Sequence, residues 1–477
     1  MIHGMGEGFD PGHGGGAVSG GPVGGDAVGG AAVSGGATGG TLRPALLIIA
    51  ISVLPFVSAG CDAGPAGEPG VVVADSSGVR IVENETPGWA ADEAWYVTAE
   101  PRVRIGVLEG APEYQLDRVT GATILSDGRV AVADMGSSQV RFFDPDGRYL
   151  SRIGQAGDGP GEFRQITGLF RLPDDRLAVK DRGARIHLFR PDGTLLGAVQ
   201  LGDVVIELDP VTFHENPPAN VVVVSWPDDS SFVGYESTQP TLSATREFEE
   251  SETLERAYVR FTVGGSDGRG GEAPASVDRR GTFSASDGQE IVRLAAETFH
   301  PHPRNVVLAE VFGAAVYHST TDDALILGLS APGELHWYTL DGRLERIARR
   351  VWSDRPVTSD MIEGYVRRSS PPLPEALARE RTFGERLPAF SALRVDEGGH
   401  VWVREYEPEH AAATMQYIRT PDGPSNWSVF DATGRWMGTV ELPPRFALLE
   451  VAEDHLLGLR RDELDVEYVE IYDLLKP

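Results

Sequence analysis

The chain has 477 residues, 41% hydrophobic and 24% charged, enough to bury a sizeable core, so disorder throughout is excluded. A single cysteine, Cys61, excludes a disulfide scaffold. A formal charge of −29, from 71 acidic against 42 basic residues, repels polyanions and excludes nucleic acid as an expected partner.

Residues 1–41 are of low complexity, 17 of the first 40 being glycine, and lack apolar periodicity; a disordered Gly-rich extension is expected. This stretch holds Glu7, Asp10 and Asp26 but no basic residue, which suggests a mis-assigned start, with translation beginning near Val33 or Leu42. Arg43 then precedes an apolar run of 13 residues, 45–57. A membrane span needs ~20 residues, so the run fits the apolar region of a secretory signal instead. It ends in Ser58-Ala59-Gly60-Cys61. Small residues leading to the lone cysteine resemble a bacterial lipoprotein signal, with Ser58 where that family places an aliphatic residue. The resemblance implies a signal segment over 42–61 and lipidation of Cys61, each buried methylene contributing ~0.8 kcal/mol to membrane anchoring. An ordinary cleaved signal and an uncleaved anchor are the other readings. Residues 62–78 read as a flexible tether, and 79–477 as the folded body.

The body repeats itself. Residues 125–153 (LSDGRVAVADMGSSQVRFFDPDGRYLSRI) and 172–199 (LPDDRLAVKDRGARIHLFRPDGTLLGAV) align with a period of 46, from Gly147 to Gly193. Weaker copies follow at 322–347, 397–404 with 426–440, and 453–475. Apolar and polar residues alternate with period two, as strands do. Pro-Asp-Gly at 145–147 and 191–193 and Leu-Asp-Gly at 340–342 are tight-turn chemistry, glycine accepting positive φ and aspartate capping the turn. Short strands in units of forty-odd residues predict an all-β fold, a six-bladed β-propeller with four-stranded blades. The units fall near 118–155, 166–201, 204–275, 304–352, 390–442 and 446–477. Because a ring must close to protect its edge, either Val79–Asn84 or 95–105 is expected to complete the last blade.

Ala133-Asp134-Met135-Gly136, Val140 and Phe143-Asp144-Pro145-Asp146-Gly147, with the linker Gly154 to Phe163, resemble the NHL repeat. More broadly, 79–477 is similar to uncharacterised six-bladed propeller lipoproteins of environmental bacteria. This resemblance implies fold and location but no activity; NHL-type propellers are mostly binding platforms, and a minority are metal-dependent lyases.

Candidate chemistry is sparse. Gly154–Gly161 lacks the Lys-Ser/Thr ending of a phosphate loop and reads as a connector between blades. The Asp144 turn is no calcium loop, since residue 155 is Gln rather than Glu. His300 and His302 would suit zinc on a strand, but Pro301 and Pro303 favour a loop. No nucleophile-elbow, zincin or paired-cysteine motif occurs. Only two basic residues, Lys180 and Lys476, are lysine, a codon bias of GC-rich bacterial genomes, so arginine abundance is not itself a functional signal. The strand ends at the channel mouth carry Asp134, Lys180, Asp181, Arg182, Glu405, Tyr406, Arg461 and Asp462. Of these, Asp134, Asp181, Arg182, Glu405 and Arg461 are the candidate ligand-binding set, with turn capping and ion pairing as the structural alternative. Residues 358–387 break the β pattern, and two short helices are expected there, a small insertion between blades 4 and 5, as a lid or packed on a blade rim.

The expected function is that of an exported, lipid-anchored propeller of the cell envelope, a non-catalytic scaffold for an envelope protein or a small polar ligand. It is expected to be a monomer, to meet the membrane only through its anchor and to need no cofactor. The alternative is a metal-dependent lyase or lactonase-type hydrolase with calcium or zinc in the central channel, as resemblance to six-bladed enzymes implies. The five asparagines do not recur between units, which weighs against calcium.

Overall fold

A computed structural model describes residues 70–182, 185–200, 220–228, 231–237, 252–263, 282–283, 285–302, 306–369, 374–411 and 418–477. The Gly-rich extension, the signal segment with Cys61 and residues 62–69 of the expected tether lie outside the described residues.

Alternating apolar residues form six sheets, the blades of a six-bladed β-propeller. Blade 1 comprises Val119–Ile124, Val130–Asp134, Gln139–Phe143 and Tyr149–Ile153, and blade 2 Ile166–Arg171, Leu177–Asp181, Arg185–Phe189 and Leu195–Gln200. Blade 4 is built on Val316–Thr320, Ala324–Leu329, Glu334–Thr339 and Leu344–Arg350, and blade 5 on Phe390–Val395, Val401–Glu405, Ser425–Phe430 and Trp436–Leu442. The first strands touch one another in cyclic order, blade 6 meeting blade 1, and so surround the central channel. Apolar side chains fill the wedges between blades. Ala131, Ala133, Val140 and Phe142 of blade 1 meet Ile166, Leu177, Val179 and Phe189 of blade 2, and Leu457, Leu459 and Val469 of blade 6 meet Val119, Val130 and Val132 of blade 1. Each such fully buried side chain contributes roughly 1.5–3 kcal/mol.

The turn chemistry holds, with one change. Gly147, Gly193, Gly342 and Gly434 all adopt φ between 82° and 94° between third and fourth strands. The capping carboxylate of the first repeat is Asp144, whose Oδ1 accepts the Asp146 and Arg148 amides at 3.0 and 2.7 Å, whereas Asp146 pairs with Arg148.

Blade 3 departs most from the expected units. It consists of Asn220–Asp228, Ser231–Ser237, Glu252–Val263, Ala285–His302 and Val306–Ala309. It therefore runs past residue 275, and blade 4 begins at Val316 rather than near 304. His300 and His302 lie on the 18-residue strand Ala285–His302, paired with Leu308 and Val306, and not in a loop. Pro301 stands opposite Val307 near the end of the strand, and Pro303 lies outside the described residues.

Blade 6 takes Phe446–Val451, His455–Arg461 and Glu467–Leu475 from the C-terminal end, and Val103–Ile105 from the N-terminal side. Val103, Arg104 and Ile105 pair antiparallel with Ile471, Glu470 and Val469, and Tyr96–Val97 adds to the same strand. Val79–Asn84 does not close the ring. It pairs with Val71–Ser76 as a hairpin and docks parallel on Leu344–Arg350, making blade 4 six-stranded. Residues 71–76 are thus strand, and the expected tether is shorter by that much. Asn84, 2% exposed, fastens the hairpin to the next blade: Nδ2 donates to Arg349 O at 2.9 Å and Gly434 O at 3.0 Å, and Oδ1 accepts the Trp436 amide at 2.9 Å.

The insertion between blades 4 and 5 holds the two expected helices, α1 (Ser359–Ser369) and a single-turn α2 (Glu375–Arg379). Phe383 instead lies on extended chain, its ring 5.8 Å from Phe312 and 5.5 Å from Tyr365.

Two outcomes are expected. Deleting 96–105 removes the partner of Val469–Ile471 and should abolish a single cooperative transition in calorimetry, whereas deleting 70–84 should lower Tm and keep one transition. Asn84→Ala leaves two carbonyls and an amide unpaired and should cost about 2 kcal/mol in denaturant unfolding.

Candidate functional site

In four blades the candidate residues fall at the end of the second strand, where antiparallel pairing sets them beside the start of the first. Asp134 pairs with Val119, Asp181 with Ile166, Glu405 with Phe390, and Arg460, next to Arg461, with Phe446. All therefore share one face of the propeller. The connection from Leu344–Arg350 to Phe390–Val395, with α1 and α2, arrives on this face too.

Three of these side chains are committed to ion pairs inside their own blade. Asp134 is fully buried, with Arg141 Nη2 3.0 Å from Oδ2 and the Ser137 amide donating to Oδ1 at 3.0 Å. Asp181 is fully buried against Arg185, whose Nη2 and Nε approach at 2.6 and 3.1 Å, with His187 Nε2 at 3.7 Å. Arg461 binds Glu467 and the Ile418 carbonyl. Each pair joins the second strand to the third across one turn, with the sign of the charge reversed in blade 6. Glu467 reaches further and accepts the Val119 amide at 2.7 Å, tying blade 6 to blade 1. Burial pushes the Asp134 carboxyl up despite Arg141. At the equivalent position, burial of Asp181 is outweighed by His187 and Arg185, which hold its carboxyl well below the usual range.

Glu405 is half-buried and accepts Arg350 at 2.7 Å and Ser428 Oγ at 2.8 Å. The Arg350 guanidinium is itself sandwiched 3.7 Å from Trp352 and 4.4 Å from Trp436. Arg182 is exposed and donates to Gln165 Oε1 at 3.0 Å. Asp462 caps its turn through the Leu464 and Val466 amides. The structure thus brings the set to one mouth but spends most of it on the scaffold.

Other residues shape that mouth. Tyr406 packs with Phe312 and Tyr365 under α1, and burial pushes its hydroxyl up. Arg368 of α1 donates to the Pro408 carbonyl at 2.7 Å and so pins the segment after Tyr406. His410 is buried there; burial, then Arg404 and Arg419, lower it to about 4. Deeper in the ring, His318 Nδ1 lies 3.1 Å from Tyr258 Oη, and burial, then Arg256 and Arg394, lower it to about 3. Arg394 and Arg404 were not among the candidates. In an arginine-rich strand pattern nothing marks two of them as central.

The opposite mouth is barred. Arg171 ends the first strand of blade 2, and Glu397 follows the first strand of blade 5, which in cyclic order is the blade opposite. Arg171 Nη2 donates to Glu397 Oε1 at 2.7 Å, so the pair spans the axis. Asp175 stands 3.5 Å from Arg171. Beside them Glu450 is deeply buried, its carboxyl pushed up by burial, and accepts Thr123 Oγ1 at 2.6 Å. Among the described residues no three His, Cys, Asp or Glu side chains converge as metal ligands.

Residues 113–189 match the sequence profile of the DUF5128 family, a 6-bladed beta-propeller. A segment of 75 residues is 33% identical to RING finger protein nhl-1 of Caenorhabditis elegans, covering 16% of this chain and 8% of that protein's length. Three solved structures are similar. A duf4221 family member from Bacteroides vulgatus has a TM-score of 0.43 at 11% identity, with 81% of this chain and 99% of that one covered. The virginiamycin B lyase of Staphylococcus aureus scores 0.36 at 10% identity, covering 80% and 100%. A gluconolactonase of Xanthomonas campestris scores 0.35 at 12% identity, covering 76% and 87%. The chain is a six-bladed β-propeller with NHL-like repeats.

The histidines predict an acid response. Their folded values, about 3 for His318 and about 4 for His410, lie below the unfolded value of 6.5, so the unfolded chain binds more protons. Stability is full above pH ~6.5 and falls as pH drops toward 4, by roughly 2–5 kcal/mol for the pair at pH 4.5. Melting curves between pH 7 and 4.5 should show this, and His410→Gln should flatten part of the slope.

Proposed function

We propose that the protein is exported, is held to the cell envelope by a lipid on Cys61, and binds a small polar ligand without transforming it. The Arg171–Glu397 bridge across one mouth carries the binding reading. Ringed by first strands and crossed at one mouth by this pair, the channel is read here as a cup entered from the face bearing α1 and α2. Concave sites with a few convergent polar groups are where small ligands bind. Export and anchoring rest on the apolar run before Cys61. In accord with a body outside the bilayer, no helix among the described residues is long and apolar enough to cross a membrane.

Labelled palmitate should enter the wild-type protein and not Cys61→Ser, which should leave the membrane fraction. Label retained by Cys61→Ser would refute the anchor. Protein purified without chelator should hold no stoichiometric divalent ion and turn over no lactone, ester or amide; a bound calcium or zinc with such turnover would establish the enzyme reading instead.

A further inference from the structure

We propose that the cup takes an oxyanion, a carboxylate or phosphate group of a small ligand, held between Arg394 and Arg404. This rests on the binding reading above and names its ligand class.

Arg394 lies on the first strand of blade 5, which borders the channel, and Arg404 on the second. The register sets Ala392 opposite Arg404 and Trp402 opposite Arg394. The two arginines are therefore diagonal neighbours on one face of the sheet, within reach of a common ligand. Neither meets a carboxylate among the described residues. Arg394 Nη1 donates to the Leu393 carbonyl at 2.8 Å, and Arg404 Nε to Ser391 Oγ at 2.9 Å.

Their neighbours behave differently. Arg350 has Glu405 at 2.7 Å, Arg355 has Glu407 at 3.4 Å, Arg171 has Glu397 at 2.7 Å, and Arg461 has Glu467. In a chain with 71 acidic and 42 basic residues, carboxylates are in excess, yet among the described residues these two guanidiniums, like Arg368 and Arg381, meet only neutral acceptors. An enclosed cation without a counter-charge is costly, and a guanidinium cannot escape by losing its proton. With no counter-charge among the described residues, the proposed anion supplies it. The planar guanidinium fork suits carboxylate and phosphate oxygens.

The surroundings have the matching sign. Burial disfavours the charged forms of both Arg394 and Arg404, and Arg394 adds to the cost at Arg404. Two histidines on different blades register the same positive field, His318 through Arg256 and Arg394, and His410 through Arg404 and Arg419. The carboxylates described on this face are engaged: Glu405 by Arg350 and Ser428, Asp134 by Arg141, Asp181 by Arg185 and Glu467 by Arg461. Outside the cup the chain is strongly acidic, which repels extended polyanions and leaves a small anion as the fitting ligand.

The test is calorimetric titration and thermal shift of the purified chain with sodium succinate, inorganic phosphate and, as a neutral probe, trehalose, with sodium chloride at matched ionic strength. Succinate or phosphate should bind and raise Tm beyond chloride, the better of the two identifying the group. Arg394→Met should weaken that binding about tenfold or more. Without ligand, Arg394→Met should melt above the wild type, because an uncompensated charge has been removed. Should it fail to fold, Arg404→Gln carries the same binding expectation. Oxyanion binding unchanged in these variants, or none above chloride, overturns the proposal. Trehalose binding alone would overturn the oxyanion while leaving the cup; no binding of any probe would count against both.

Discussion

Everything in this molecule hangs on one short pairing, Val103–Ile105 against Val469–Ile471. A propeller blade is a sheet whose faces are covered by its neighbours, so an unclosed ring leaves a hydrophobic wedge and a strand edge open. Here the last blade is assembled from both sides of the chain, and Leu457, Leu459, Val469, Val103 and Ile105 pack onto the inner residues of blade 1. Glu467 repeats the link in polar form, joining Arg461 within blade 6 to the Val119 amide of blade 1. The Val71–Asn84 hairpin adds a second clasp elsewhere on the ring, from blade 4 to blade 5 through Asn84.

Closure gives charge its roles. Once the wedges are apolar, polar side chains at strand ends must satisfy each other, and Asp134–Arg141 and Asp181–Arg185 do so across a single turn. Across the axis, Arg171 and Glu397 join opposite blades. The same rule makes Arg394 and Arg404 conspicuous, since among the described residues they meet only neutral partners. Recurrence of the strand-end acids in the repeat marks structure here.

The repeats at 125–153 and 172–199 were readable because strand alternation and Pro-Asp-Gly turns are local properties, set by side-chain period and by φ at glycine. Blade count and the helical insertion followed from the same local signals. Blade 3 was misjudged because its strand Ala285–His302 is long and carries Pro301, so the turn spacing that marks the other blades is missing. That the candidate ligand residues share one face was legible, since position along a strand fixes the face, but their partners lie at distances no spacing encodes.

By itself the sequence determined the period, the strand direction at each repeat, the turn glycines and the signal-like segment before Cys61, all of which depend on residues near one another in the chain. Only the tertiary structure decided which N-terminal strand closes the ring, that Arg171 meets Glu397 across 226 residues, and that Arg394 meets no carboxylate among the described residues. Those outcomes depend on where the ring brings distant strand ends.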